Sequence, residues 1–80
     1  MFDFNVVITN LNKIEKEKAL DLVKQLRNSI IASAESNEEY AAEYADIPLV
    51  GKTIFEQQRL LYRALLEWLD TFERQYKESE

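Results

Sequence analysis

The stretch that comes nearest to a chemical motif is Asp46-Ile47-Pro48-Leu49-Val50-Gly51-Lys52-Thr53. A phosphate-binding loop reads G-x-x-x-x-G-K-[ST], with backbone N–H groups and the Lys gathered around the phosphates. Gly51-Lys52-Thr53 fits the end of that pattern. The start does not fit, because Asp46 replaces the first glycine and would set a negative charge beside the ligand. Pro48 also removes an N–H that a cradle would use. Eighty residues leave no room for the parallel βαβ units that such a loop serves. The plain reading is a loop that ends on Gly51 before a Thr53 helix cap.

Catalysis lacks its usual tools. The chain has no His and no Cys, so a general base working near neutrality would need a Glu or Lys with a large pKa shift. Ser29, Ser33, Ser36 and Ser79 have no recognisable base partner. Glu15, Glu17, Glu67 and Asp70 read as ordinary surface carboxylates. Without Cys or His a zinc site is not expected, and no cofactor is expected. The sequence points away from an enzyme.

Charge is the more informative feature. The net charge is −5, which argues against direct nucleic-acid binding. Lys13, Lys16, Lys24 and Arg27 could form a basic stripe, but Glu17 and Asp21 interleave them. From Asn28 to Gly51 there is no Lys or Arg, yet Glu35, Glu38, Glu39, Glu43 and Asp46 fall there. The remaining ten acidic residues match the ten basic ones, so the whole excess sits in one central segment. Such a run is most simply a solvated face. Glu38 and Glu39 would also gain from the positive end of a helix starting nearby. The alternative is a surface for a protein partner with a basic face, since uncompensated like charge costs stability. A cation site is a third reading, but the Asp/Asn/Gly order of a calcium loop is missing. Tyr40 and Tyr44 sit among these carboxylates. They suit an interface, because Tyr offers contact area with a polar tip, and they equally suit packing against the last helix.

These residues must be positioned by elements, and the sequence predicts a mainly α fold in one small domain, 1–80. Phe2, Phe4, Val6 and Ile8 alternate with other residues at period two, which predicts a strand over about 2–9. Its open backbone would have to pair with Ile47–Val50, with a second subunit or with a partner's sheet edge. Asn12 with Glu15 forms a capping box. It predicts a helix over about 13–34 that buries Ile14, Ala19, Leu22, Val23, Leu26 and Ile30, with Ser33 on the same face and Leu20 and Ile31 widening it. Ser36-Asn37-Glu38-Glu39 is a second capping box, which allows either a break with a short helix over about 37–45 or a first helix that runs through; Ser33 and Ser36, poor mid-helix residues, favour the break. A loop over 46–53 follows, and Thr53-Ile54-Phe55-Glu56 is a third box. The last helix is expected over about 54–77.

That helix carries one stripe of Ile54, Leu61, Leu65, Trp68, Phe72 and Tyr76 and a second of Phe55, Tyr62, Leu66 and Leu69, with Leu60 and Ala64 on a further side. A single packed face is ~100° wide or somewhat more, so one neighbouring helix cannot cover it. A homodimer is therefore expected, with Phe4, Leu61, Leu65, Trp68 and Phe72 at its interface. Trp68 at helical spacing reads as core or seam rather than as a ligand platform.

Met1-Phe2-Asp3-Phe4 lacks the basic and apolar regions of a signal peptide. No apolar run is long enough to span a membrane, so the cytoplasm is the default expectation. Two functions fit. One is a small acidic regulator or inhibitor that binds a basic or nucleic-acid-binding protein through Glu35, Glu38, Glu39, Tyr40, Glu43, Tyr44 and Asp46. Phages and mobile elements often encode proteins of that kind. The other is an assembly subunit that works by homo-oligomerisation.

Overall fold

Two long antiparallel helices make up most of the molecule. The computed structural model describes residues 4–79. Helix α1 is Phe4–Asn10, a 3-10 turn covers Leu11–Lys13, α2 is Lys16–Glu43 and α3 is Leu49–Glu78. The radius of gyration is 15.5 Å and the extents are 51 × 18 × 16 Å. A compact chain of this length would have a radius near ~12 Å, so the hairpin is a rod. Its long axis is that of α3, whose 30 residues span roughly 45 Å at ~1.5 Å each.

Apolar spacing explains the pairing of α2 with α3. Ala19, Val23, Leu26 and Ile30 recur three and four residues apart and are all buried, so they make one seam along α2. Opposite them lies Leu69, fully buried, with Tyr62, Leu65, Leu66, Phe72 and Tyr76 half-buried around it. Leu11 closes the open end of the hairpin and is 2% exposed. Val7 and Ile8 of α1 join the same cluster. Cross-helix bonds fix the register. Lys16 Nζ donates to the carbonyls of Lys77 and Ser79, Arg27 reaches Asp70 and Glu73, and Asn37 reaches the Phe55 carbonyl.

The expected N-terminal strand over 2–9 is wrong: residues 4–10 are helical, and the described residues contain no strand. The alternating pattern misleads because Phe4, Val7, Ile8 and Leu11 also stand at i, i+3, i+4 and i+7. A helix satisfies its own backbone, whereas a lone strand leaves N–H and C=O groups unpaired. Thr9 Oγ1 and Asn10 Nδ2 donate back to the Val6 carbonyl at 3.0 and 2.7 Å, which suits a helical turn. The Phe4 side chain and the start of the expected strand lie outside the described residues.

All three capping boxes misplace a helix end. The first helix was expected from residue 13, but Asn12 lies in the 3-10 turn, Ile14 is extended and exposed, and α2 starts after Glu15. No break occurs at Ser36, and α2 runs unbroken through residues 34–37 to Glu43. Asn37 spends its side chain on α3 instead of on a local cap. The last helix begins at Leu49, not Ile54, with Pro48 as its cap. Proline supplies a helical φ and pushes Ile47 out of the α region, so the turn ends where the helix starts. Gly51 and Lys52 donate to the Pro48 carbonyl at 3.0 and 3.2 Å. Thr53 Oγ1 donates back to the Leu49 carbonyl at 2.9 Å, as an in-helix Thr does.

Candidate association surface

Two ion-pair clusters lie along one side of the hairpin. Arg27 Nη2 contacts Asp70 Oδ1 and Glu73 Oε1, each at 2.8 Å. The Glu73 hydrogen bond, opposed by partial desolvation and helped by Asp70, raises the Arg27 pKa. Farther along, Arg59 Nε donates to Glu38 Oε1 at 2.6 Å and Nη2 to Oε2 at 3.0 Å, a two-pronged grip. Arg59 Nη1 also reaches Glu56 at 2.5 Å. The Arg59 hydrogen bonds hold the Glu38 carboxyl below its ordinary value.

The middle of the other side carries no charge, with Lys18 and Glu43 of α2 standing at its two ends. At 3.6 residues per turn, the charged positions of α3 occupy about 140° of its circumference. They are Lys52, Glu56, Arg59, Arg63, Glu67, Asp70, Glu73, Arg74, Lys77 and Glu78. The remaining arc divides in two. Part of it is packed on α2. The rest is exposed and holds Val50, Thr53, Ile54, Gln57, Leu60, Leu61, Ala64, Trp68, Thr71 and Gln75. Across the groove between the helices, α2 presents Gln25, Ser29, Ala32, Ser33, Ser36 and Tyr40, also uncharged and exposed. Near the open end this surface is partly roofed by α1, whose Val7 lines a small cavity together with Leu22, Gln25, Leu26 and Ser29. The described α1 residues carry no charge either. In a chain that is 31% charged, this is a marked segregation.

The uncharged side is also apolar. Val50 is 77% exposed, Ile54 50%, Leu60 52%, Leu61 56% and Trp68 42%. At ~200 Å² for a large side chain, these five expose roughly 550 Å². That is near the top of the range of ~300–600 Å² for the largest apolar patch on a monomer. Trp68 stacks on Phe72 at 5.8 Å, and Phe72 on Tyr76 at 5.8 Å, so a ladder of rings runs along the edge.

Beyond the described residues of α1 lies a groove between α2 and α3. Its walls are Ala32, Ser33, Ser36, Asn37, Tyr40, Phe55, Gln58 and Tyr62, and its volume is about 340 Å³. Asn37 is 4% exposed. Its Nδ2 donates to the Phe55 carbonyl at 3.1 Å, while its buried Oδ1 has no hydrogen-bond partner among the described residues.

The expected partner-binding residues fall on different parts of the hairpin's closed end. Glu35, Glu39 and Glu43 are exposed on the outward face of α2, and Asp46 is exposed in the turn. None of these four forms an ion pair among the described residues. Glu38 instead holds Arg59. Tyr40 lines the groove, and Tyr44 is the exposed C-cap of α2. Of the expected interface residues, Leu61 and Trp68 lie on the uncharged side, while Leu65 and Phe72 are half-buried beneath them against the core. Gly51, Lys52 and Thr53 are helical, so no phosphate-cradling loop exists there. Asn37, the serine row on α2 and Val50 were missed as site residues. The readable signal was the absence of charge at helical spacing on both long helices.

No protein-family model matches the chain, no curated protein matches its sequence and no solved structure matches its fold. Among the described residues no helix is long and apolar enough to cross a membrane. No group of three or more carboxylates among them is arranged to hold a metal ion.

Proposed function

We propose that the protein works by stoichiometric association with another protein molecule, as a small assembly or regulatory subunit rather than as a catalyst. The observation that carries this reading is the exposed, charge-free, apolar side of the hairpin. The centres of protein interfaces are depleted of charge and enriched in aromatic residues. Water is displaced at low cost from Val50, Ile54, Leu61 and Trp68, whereas a solvated face of a chain this charged would carry Lys and Glu. The absence of His and Cys supports the non-catalytic part of the reading.

The acidic end supports a second reading, in which the target is a protein with a basic face. Glu35, Glu39, Glu43 and Asp46 keep their charge uncompensated by any ion pair among the described residues, so their field is available for steering a cation-rich surface. The two readings combine if the neutral side supplies contact area and the acidic end orientation.

The test is photocrosslinking in cells from a benzophenone amino acid placed at position 61, compared with one at position 39. Position 61 is expected to give discrete crosslinked species. Crosslinks from position 39 alone would leave only the acidic reading. None from either position would remove association as the function.

A further inference from the structure

We infer that the groove between α2 and α3 takes a short amphipathic helix from a protein partner, one whose apolar stripe enters the groove and whose edge carries Lys or Arg against Glu39 and Glu43. This rests on the reading of the uncharged side as an association surface and names the chemistry of what it binds.

The fold already seats one helix on this flank. At the open end Val7 of α1 lines a small cavity with Leu22, Gln25, Leu26 and Ser29 of α2. Helix α1 has 7 residues, and its Val7 and Ile8 join the buried cluster that Leu11 completes. The row of α2 that begins with Leu22, Gln25 and Ser29 continues as Ser33, Ser36 and Tyr40, at steps of three and four and all exposed. From Ser29 to Tyr40 it runs about 16 Å at ~1.5 Å per residue, the length of three helical turns. Tyr40 on α2 and Phe55 and Tyr62 on α3 wall this stretch, and the serines between them leave space for a second backbone to approach. A helix laid in such a groove is held by apolar anchors at i, i+3 or i+4, and i+7.

Charge decides the occupant's edge. Ala32, Ser36, Glu39 and Glu43 follow one another at i, i+4, i+7 and i+11, so the outer rim of the groove starts neutral and ends acidic. Both carboxylates are exposed, and neither forms an ion pair among the described residues. Helix α3 brings no cation to this rim. Its Lys52, Arg59 and Arg63 stand on the charged arc, and Arg59 is held by Glu38 and Glu56. A neutral helix like the described part of α1 would leave Glu39 and Glu43 without a counter-charge beside an interface that excludes water. A second copy would bring a further net charge of −5. A helix with two cations three or four residues apart meets both carboxylates, and rim pairs of that kind steer encounter and fix orientation.

The test is selection from a displayed random library of helix-forming peptides, about four turns long, on the purified full chain, with affinities then measured by fluorescence anisotropy. Selected peptides are expected to share apolar residues at i, i+3 or i+4, and i+7, with Lys or Arg along one edge. Their affinity should fall about tenfold with Ser33→Trp, which fills the groove with a ring, and about tenfold with Glu39→Lys and Glu43→Lys together. Glu67→Lys, on the charged side of α3, should leave it unchanged, and circular dichroism checks that each variant is folded. Peptides with a neutral or acidic edge, or affinity indifferent to the Glu39→Lys and Glu43→Lys pair, overturn the assigned chemistry. Affinity indifferent to Ser33→Trp overturns the assigned groove. Selection of no peptide overturns the proposal as well, and a dimer in sedimentation equilibrium that Ser33→Trp dissociates would then give the groove to a second copy. If the proposal fails in any of these ways while position 61 still crosslinks to another protein in cells, the association reading survives it.

Discussion

Replacing Asn37 with Leu should stabilise the chain. Asn37 is 4% exposed and makes one side-chain hydrogen bond, from Nδ2 to the Phe55 carbonyl at 3.1 Å. Losing that bond costs about 0.5–1.5 kcal/mol. The Phe55 carbonyl is not orphaned, because an interior helical carbonyl accepts from the residue four further on. Against that loss stands removal of a buried acceptor, Oδ1, that has no partner among the described residues, worth about 1–3 kcal/mol. Leu has the same number of side-chain heavy atoms in a similar branched shape, and its extra bulk can extend toward the groove lined by Phe55 and Tyr62. The net is a gain of roughly 0.5–2 kcal/mol, which raises Tm by several degrees at ~4–8 °C per kcal/mol for a domain of this size. The measurement is urea and thermal unfolding followed by circular dichroism. A loss of more than about 1 kcal/mol would mean that Oδ1 has a partner in the chain.

Leu69 is the one fully buried apolar side chain of α3, so Leu69→Ala should cost about 2–5 kcal/mol, and a cost under ~1 kcal/mol in urea unfolding would contradict the packing. Gly51 lies in the first turns of α3, where an added Cβ would sit 2.7 Å from Ile47 Cδ1. That methyl is the free end of a flexible side chain, so Gly51→Ala should be neutral or stabilising by up to ~1 kcal/mol, and a Tm drop of several degrees would show that Ile47 cannot move. Glu38 has its pKa lowered by the Arg59 hydrogen bonds. The stability it contributes is therefore complete above its unfolded value of ~4.3 and fades as pH falls through the lower folded value. Thermal melts between about pH 6 and pH 2 should show a shallower acid limb for Glu38→Gln, and identical limbs would mean the pair is broken in solution.

The helical class and the α2–α3 seam were legible because Ala19, Val23, Leu26 and Ile30 repeat at helical spacing, which only a helix turns into one face. Helix ends were not legible. Ser36-Asn37-Glu38-Glu39 has the composition of a cap, yet tertiary demand decides: Asn37 bonds across to α3 and Glu38 to Arg59, so the helix continues. Thr53 likewise reads as a cap but lies inside a helix begun by Pro48 five residues earlier. The N-terminal segment was misread because Phe4 and Ile8 satisfy both periods, with Val6 completing the strand pattern and Val7 and Leu11 the helical one, and only the lack of a strand partner separates them. Leu61 and Trp68 were legible as surplus apolar surface, while the groove was not, since it depends on how α2 and α3 diverge around Asn37.

The chain has no cysteine of its own, so one introduced thiol reports one position. Leu61→Cys places that thiol on the uncharged side, and Arg63→Cys places it on the charged side of the same helix, both at exposed positions. With the chain at its native level, the rate at which a membrane-permeable maleimide labels position 61, relative to position 63, should be several times lower in cells than in the purified protein. The same ratio in both settings would show that the uncharged side meets no partner.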